Sequence, residues 1–218
     1  MSSEDGESFD QGKVAESDVI LSNDPAFVPY TGYDPNSEAA IKHNEKVLSL
    51  YGFRINVKLS GLQLATLADA AQSSPENQLV HKSPALTFEP FYFFFYGSLQ
   101  IPHVVTTVVR GGGEGASYKP ILKPGSIEGW KIMMWGPYPA LVPKKGGKVT
   151  GKYWKCKRPE DVCRLCMYET DAYRMEFCDI TTEEGDVING GRIFVSTVER
   201  DELEVGSFNL EKFIRDRA

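Results

Sequence analysis

The most apolar run of the chain, Phe91 to Phe95, reads Phe-Tyr-Phe-Phe-Phe and shows no alternation of apolar with polar positions. A strand exposed on one face would alternate with period two, so this run predicts a central strand buried on both faces. Tyr96-Gly97-Ser98-Leu99 then turns the chain. Ile101-Pro102 opens a segment with helical spacing and a proline suited to a first helical turn. A buried strand that ends in such a turn leaves backbone N–H groups unpaired at its end, where an anion or oxyanion can be held.

On the N-terminal side, Ser37-Glu38-Ala39-Ala40 begins a helical pattern reaching about Leu50, with Gly52 placed for a C-terminal cap. Ser60 to Gln72 predicts a second helix with an apolar stripe of Leu62, Leu64, Ala65, Leu67 and Ala68, and Tyr51 to Leu59 between the two alternates as a short strand. Residues 1–18, rich in Ser, Glu, Asp and Gly, predict a disordered tail. Asn23 to Pro35 reads as an extended arm carrying Phe27, Tyr30 and Tyr33, and Ser73 to Pro90, with three prolines, as a linker. The expected division is therefore a tail (1–18), an N-terminal extension of arm plus two helices (19–85) and a functional domain (86–218).

After Gly111 to Gly115, read as a loop, the pattern predicts strands at Tyr118–Leu122, Ser126–Trp135, Ala140–Val142, Lys148–Lys155, Tyr173–Thr181 and Val187–Val198. Helices are predicted from Arg158 to about Met167 and from Leu210 to Arg215. Many short strands with few helices imply an α+β barrel or half-barrel.

Composition narrows the partners. A net charge of −6 over 218 residues argues against a nucleic-acid backbone or an anionic membrane as the main partner. No window approaches ~18 uninterrupted apolar residues, and the acidic N-terminus is unlike a signal peptide, so a cytoplasmic protein is expected. Cys156, Cys163, Cys166 and Cys178 cluster in one window, which reads as reduced thiols. Cys163-x-x-Cys166 lacks the second pair of a structural zinc site, so the thiols read as small buried hydrophobes and no metal is expected. The triple glycine lacks a preceding strand and a following GK[ST], which excludes a phosphate loop. His103 is near the Gly97 turn and reads as a helix-surface residue, and the WKIMMW segment ending at Trp135 reads as a core strand.

Four ordered motifs carry a resemblance: Tyr96-Gly97-Ser98-Leu99, Gly136-Pro137-Tyr138-Pro139-Ala140, Val149-Thr150-Gly151, and Tyr168-Glu169 followed by Tyr173-Arg174. Over roughly residues 90–200 the chain resembles the gamma-glutamylcyclotransferase-like superfamily, in its avirulence-induced-gene-like branch and closest to fungal members. The resemblance implies a mixed β-barrel or half-barrel with flanking helices, to which this chain adds a helical N-terminal extension. It implies an enzyme that cyclises a gamma-glutamyl amine or peptide to 5-oxoproline without cofactor, with Glu169 as general acid/base. Tyr96, Gly97, Ser98, Leu99, Tyr138 and Tyr173 would bind the small-molecule gamma-glutamyl substrate, and dimerisation is left open. Two positions depart from the family's pattern: Ser98 stands for a commoner threonine, and Thr170 for a glycine after the acid. The alternative is a non-catalytic member whose cavity binds a small metabolite or a partner, while residues 20–85, the aromatic arm with its two helices, regulate it or mediate assembly.

Overall fold

Serine caps set the first two helices. The computed structural model describes residues 34–73, 78–110 and 118–215, so the expected tail, nearly all of the aromatic arm and the triple-glycine loop lie outside the described residues. In α1 (Glu38–Leu50) the Ser37 side chain accepts the Ala40 N–H, and in α2 (Gly61–Gln72) Ser60 and Gln63 form a reciprocal capping box. Gly52 leaves α1 with φ +87°, where a Cβ would sit 2.7 Å from the rings of Phe88 and Phe91. The buried face of α2 is Leu64, Ala68 and Ala71. Leu62, expected in that stripe, is 64% exposed, because the buried spacing of four starts at Leu64 and leaves position 62 on the solvent side.

The segment expected to be a linker instead holds α3 (Gln78–Lys82) and β2 (Leu86–Phe88), the latter antiparallel to β1 (Phe53–Ile55). Pro84 and Pro90 fall between elements and bound them rather than break them. With α1 and α2 these elements enclose a core of Leu48, Phe53, Leu64, Ala68, Val80 and Leu86.

Five strands form the closed barrel, in the order β3-β5-β4-β6-β7. They are β3 (Phe91–Phe95), β4 (Lys123–Trp135), β5 (Tyr138–Cys156), β6 (Tyr173–Thr182) and β7 (Val187–Ser196). The aromatic strand β3 lies between antiparallel β5 and parallel β7. Its two faces serve different cores, as the missing alternation requires. Phe91, Phe93 and Phe95 pack with Val105 and Val109 of α4 (Pro102–Arg110) and with Val162 and Leu165 of α5 (Pro159–Glu169). Phe94 and Tyr96 face the barrel interior with Ile127, Leu141, Val149, Ile180 and Ile193.

Two strand predictions are corrected. Tyr118–Leu122 is irregular, since Pro120 cannot donate to a ladder, and β4 begins at Lys123. The segments expected at Ala140–Val142 and Lys148–Lys155 are one strand of 19 residues. Gly146 adopts φ +71° and a Cβ on Gly147 would lie 2.2 Å from the Trp130 carbonyl. The glycines thus carry the strand past a register shift between Glu128 and Trp130 instead of ending it.

Arg192 of β7 joins the N-terminal helices to the barrel. Its buried guanidinium donates to Leu50 O (2.9 Å) and Ser49 O (2.7 Å) at the end of α1, and lies over the rings of Phe91 and Phe177, each at 4.3 Å. A cation therefore meets the negative end of the helix dipole, where Ser49 O also accepts the Gly52 N–H at 3.0 Å. The described residues from Asp34 to Arg215 belong to one compact unit.

Candidate active site

Where β3 leaves the barrel, Tyr96 donates its hydroxyl to Phe194 O at 2.6 Å, and Gly97 precedes a short 3-10 helix, Ser98–Gln100, that leads into α4. That helix uses the N–H groups of Gln100 and Ile101, which donate to Gly97 O and Ser98 O. The N–H groups of Ser98 and Leu99 are left at its open end. Lys152 donates to Gln100 O at 3.2 Å and steadies the turn from β5. A Cβ on Gly97 would meet Pro139 at 3.1 Å, so glycine permits the close approach of β5 to the turn.

The helix α5 ends at Glu169, and its preceding residue Tyr168 shares a 2.9 Å hydrogen bond with the Ser98 hydroxyl. The chain escapes α5 through Thr170 at φ 60°, ψ −170°, a conformation suited to glycine. This is the position where the resemblance expects glycine. Tyr173, at the start of β6, donates to Pro139 O at 3.2 Å. Trp135 and Tyr138 flank the β4–β5 turn with ring centroids 6.2 Å apart.

These elements surround one cavity of about 800 Å³. All seven site residues expected from the sequence, Tyr96, Gly97, Ser98, Leu99, Tyr138, Glu169 and Tyr173, line it, although Glu169 and Ser98 are far apart in the chain. Sequence reasoning missed Trp135, Phe213 and Ile214, which also line it. Trp135 was expected in a core strand but is 37% exposed at the strand's end, beside the turn. Phe213 and Ile214 belong to α6 (Leu210–Arg215), beyond every recognisable motif. His103 is surface-exposed as expected and reaches the cavity wall.

Glu169 is half-buried, and none of the ion pairs among the described residues involves it. Burial alone pushes its carboxyl up to about 7. Burial, with the Glu169 charge second, raises Tyr173 to about 12 and holds Tyr96 well above the ordinary phenol range. Both phenols stay protonated donors at neutral pH while the carboxyl is poised between its two forms.

The thiols are elsewhere. Cys156, Cys163 and Cys178 are buried, and burial pushes Cys163 up to about 11 and Cys166 and Cys178 to about 12. Among the described residues no group of three or more His, Cys, Asp or Glu is placed to hold a metal ion, and no helix is long and apolar enough to cross a membrane.

The family model "Gamma-glutamyl cyclotransferase, AIG2-like" matches residues 93–209, and the chain belongs to that family, which includes gamma-glutamylcyclotransferase enzymes. Among solved structures, one from Arabidopsis thaliana is similar at 20% identity, covering 60% of this chain and 85% of its own, with a TM-score of 0.46. A second from Arabidopsis thaliana is 17% identical, covering 60% and 76%, at 0.48. An aig2-like protein from Mus musculus is 18% identical, covering 56% and 87%, at 0.43. No curated protein sequence matches the chain.

Proposed function

We propose that the cavity cyclises a gamma-glutamyl amide, releasing 5-oxoproline and a free amine. The observation that carries this reading is a single carboxylate, raised to about 7 and without a cationic partner, sharing an apolar cavity with the Gly97–Leu99 turn. The Glu169 carboxylate accepts a proton from the substrate's alpha-ammonium. The freed amine attacks the side-chain carbonyl, a C–N bond forms, the oxyanion is met by the N–H groups of the turn, and the ring nitrogen releases its second proton to water. The Glu169 carboxyl then gives its proton to the departing nitrogen as the original amide C–N bond breaks. One group serves both transfers because a pKa near 7 suits donor and acceptor alike. The attack is intramolecular, so holding the substrate in a folded conformation supplies much of the acceleration.

The test is to incubate the purified protein with gamma-glutamyl amines, gamma-glutamyl dipeptides and glutathione, and to measure 5-oxoproline. Release from at least one class, reduced by at least about 100-fold in Glu169→Gln, is expected. No product from any class, or undiminished turnover in the variant, overturns the proposal.

A further inference from the structure

A second cavity, of about 450 Å³, lies at the other end of β3 and shares no lining residue with the first. Tyr92, which lines it, stands on the same strand face as Tyr96 of the first cavity, four residues back and so about 13 Å away along the strand. The second cavity is lined by Arg110 at the end of α4, Lys119 and Lys123 before and at the start of β4, Lys155 near the end of β5, and Lys157 and Arg158 between β5 and α5. In a chain of net charge −6, this concentration of cations runs against the composition. Asp161 is the one carboxylate among the described lining residues, and Arg158 donates to it twice, at 2.5 and 3.2 Å. None of the ion pairs among the described residues involves the other five cations. Arg110 lies over the Tyr118 ring at 4.2 Å and Lys155 over the Tyr92 ring at 5.5 Å, contacts that orient the charges without neutralising them. Glu183, Glu184 and Asp186 at the β6–β7 turn act through space on Tyr153, and Glu184 and Lys123 act on each other, but none of these acids lines the cavity. The positive excess is therefore carried by Arg110, Lys119, Lys155 and Lys157.

We infer that this cavity binds a compact oligophosphate, free or as the phosphate chain of a nucleoside triphosphate, with Arg110, Lys119, Lys155 and Lys157 receiving its charge. Gathered cations repel one another, and a bound anion reverses that cost. The volume is that of a small-molecule site. One phosphate monoester carries only about −1.5 to −2, so four cations call for more than one phosphate. Lysine ammonium groups and an arginine are suited to phosphate oxygens, the first as point charges and the second as a fork. The inference does not depend on the cyclotransferase reading, because the two cavities have no residue in common.

The experiment is calorimetry on the full chain in magnesium-free buffer, with inorganic tripolyphosphate, ATP and adenosine as probes. Tripolyphosphate is expected to bind with a Kd of about 100 μM or tighter, and adenosine not to bind. ATP bound about tenfold more tightly than tripolyphosphate identifies the nucleotide as the source, and equal binding identifies the phosphate chain alone; both uphold the site. The double variant Lys119→Gln, Lys157→Gln is expected to weaken tripolyphosphate at least about tenfold, while Lys119→Arg, Lys157→Arg keeps binding within about threefold. Lys144→Gln, Lys148→Gln removes the same charge from exposed positions of β5 outside the cavity and is expected to leave binding unchanged. No binding of tripolyphosphate or ATP overturns the site. An equal loss in the two glutamine pairs also overturns it, since the attraction would then belong to surface charge at large.

Discussion

Replacing Glu169 by glutamine should remove activity and, at alkaline pH, stabilise the protein. Holding this carboxyl at about 7 instead of 4.5 costs the ionised form about 3 kcal/mol at roughly 1.4 kcal/mol per decade. Glu169 retains some exposure to water, and solvent screening reduces the figure to about 1–2 kcal/mol. The sign follows from proton uptake. Between pH 4.5 and 7 the folded protein holds a proton on Glu169 that the unfolded chain releases, so this group's contribution is complete below pH 4.5 and lost as pH rises through 7. Glutamine does not titrate. At pH 8 Glu169→Gln should therefore melt about 2–6 °C higher than the wild type, and the difference should be largely gone at pH 5. Thermal unfolding followed by circular dichroism at the two pH values reads the effect, with 5-oxoproline release measured on the same samples. An equal gain at both pH values, or a loss at pH 8, refutes the desolvated carboxylate; a gain with full turnover refutes its use in proton transfer.

In the wild type, kcat/KM should fall tenfold per pH unit below about 7, where Glu169 is protonated, with the limb absent from any residual activity of Glu169→Gln. Tyr96→Phe leaves the buried Phe194 carbonyl without its hydroxyl donor and should cost about 1–3 kcal/mol in denaturant unfolding. Thr170→Gly should raise stability by about 1 kcal/mol, because a β-branched residue at φ 60° carries strain that glycine relieves, against the extra chain entropy of glycine; a lower melting temperature would show the strain is not there. Arg192→Leu removes the side-chain donor to Leu50 O and the second donor to Ser49 O, which keeps the Gly52 N–H, and should cost about 2–4 kcal/mol, with the protection of α1 amides in hydrogen exchange falling first.

What was legible in the sequence depended on whether the signal was local. Ser37, Ser60 and Pro102 mark their helix starts by chemistry that acts within a turn, and the aromatic run Phe91–Phe95 marks a strand with no water-facing side. The motifs around Gly97, Tyr138, Glu169 and Tyr173 pointed to residues that the fold brings to one cavity. What was hidden depends on partners distant in the chain. The three residues of β2 are too short to show a period, and their strand exists because β1 pairs with it. Lys145-Gly146-Gly147 reads as a turn, and only the bulged partner β4 explains why β5 runs on. Phe213 and Ile214 carry no local pattern that would send a short terminal helix to a cavity.

The cavity's aromatic residues also hold its walls in register. Tyr96 ties the end of β3 to β7 through Phe194 O, Tyr173 ties β6 to β5 through Pro139 O, and Tyr168 ties α5 to the 3-10 turn through Ser98. Each bond joins elements far apart in the chain and ends at a residue lining the cavity. For a reaction whose nucleophile and electrophile belong to one flexible substrate, the rate depends on how narrowly the folded conformer is held. A wall whose own hydroxyls are already committed to backbone and side-chain partners cannot relax around an extended substrate without breaking them. The rigidity is therefore local to the turn and the Glu169 helix end, where the proposed cyclisation needs it.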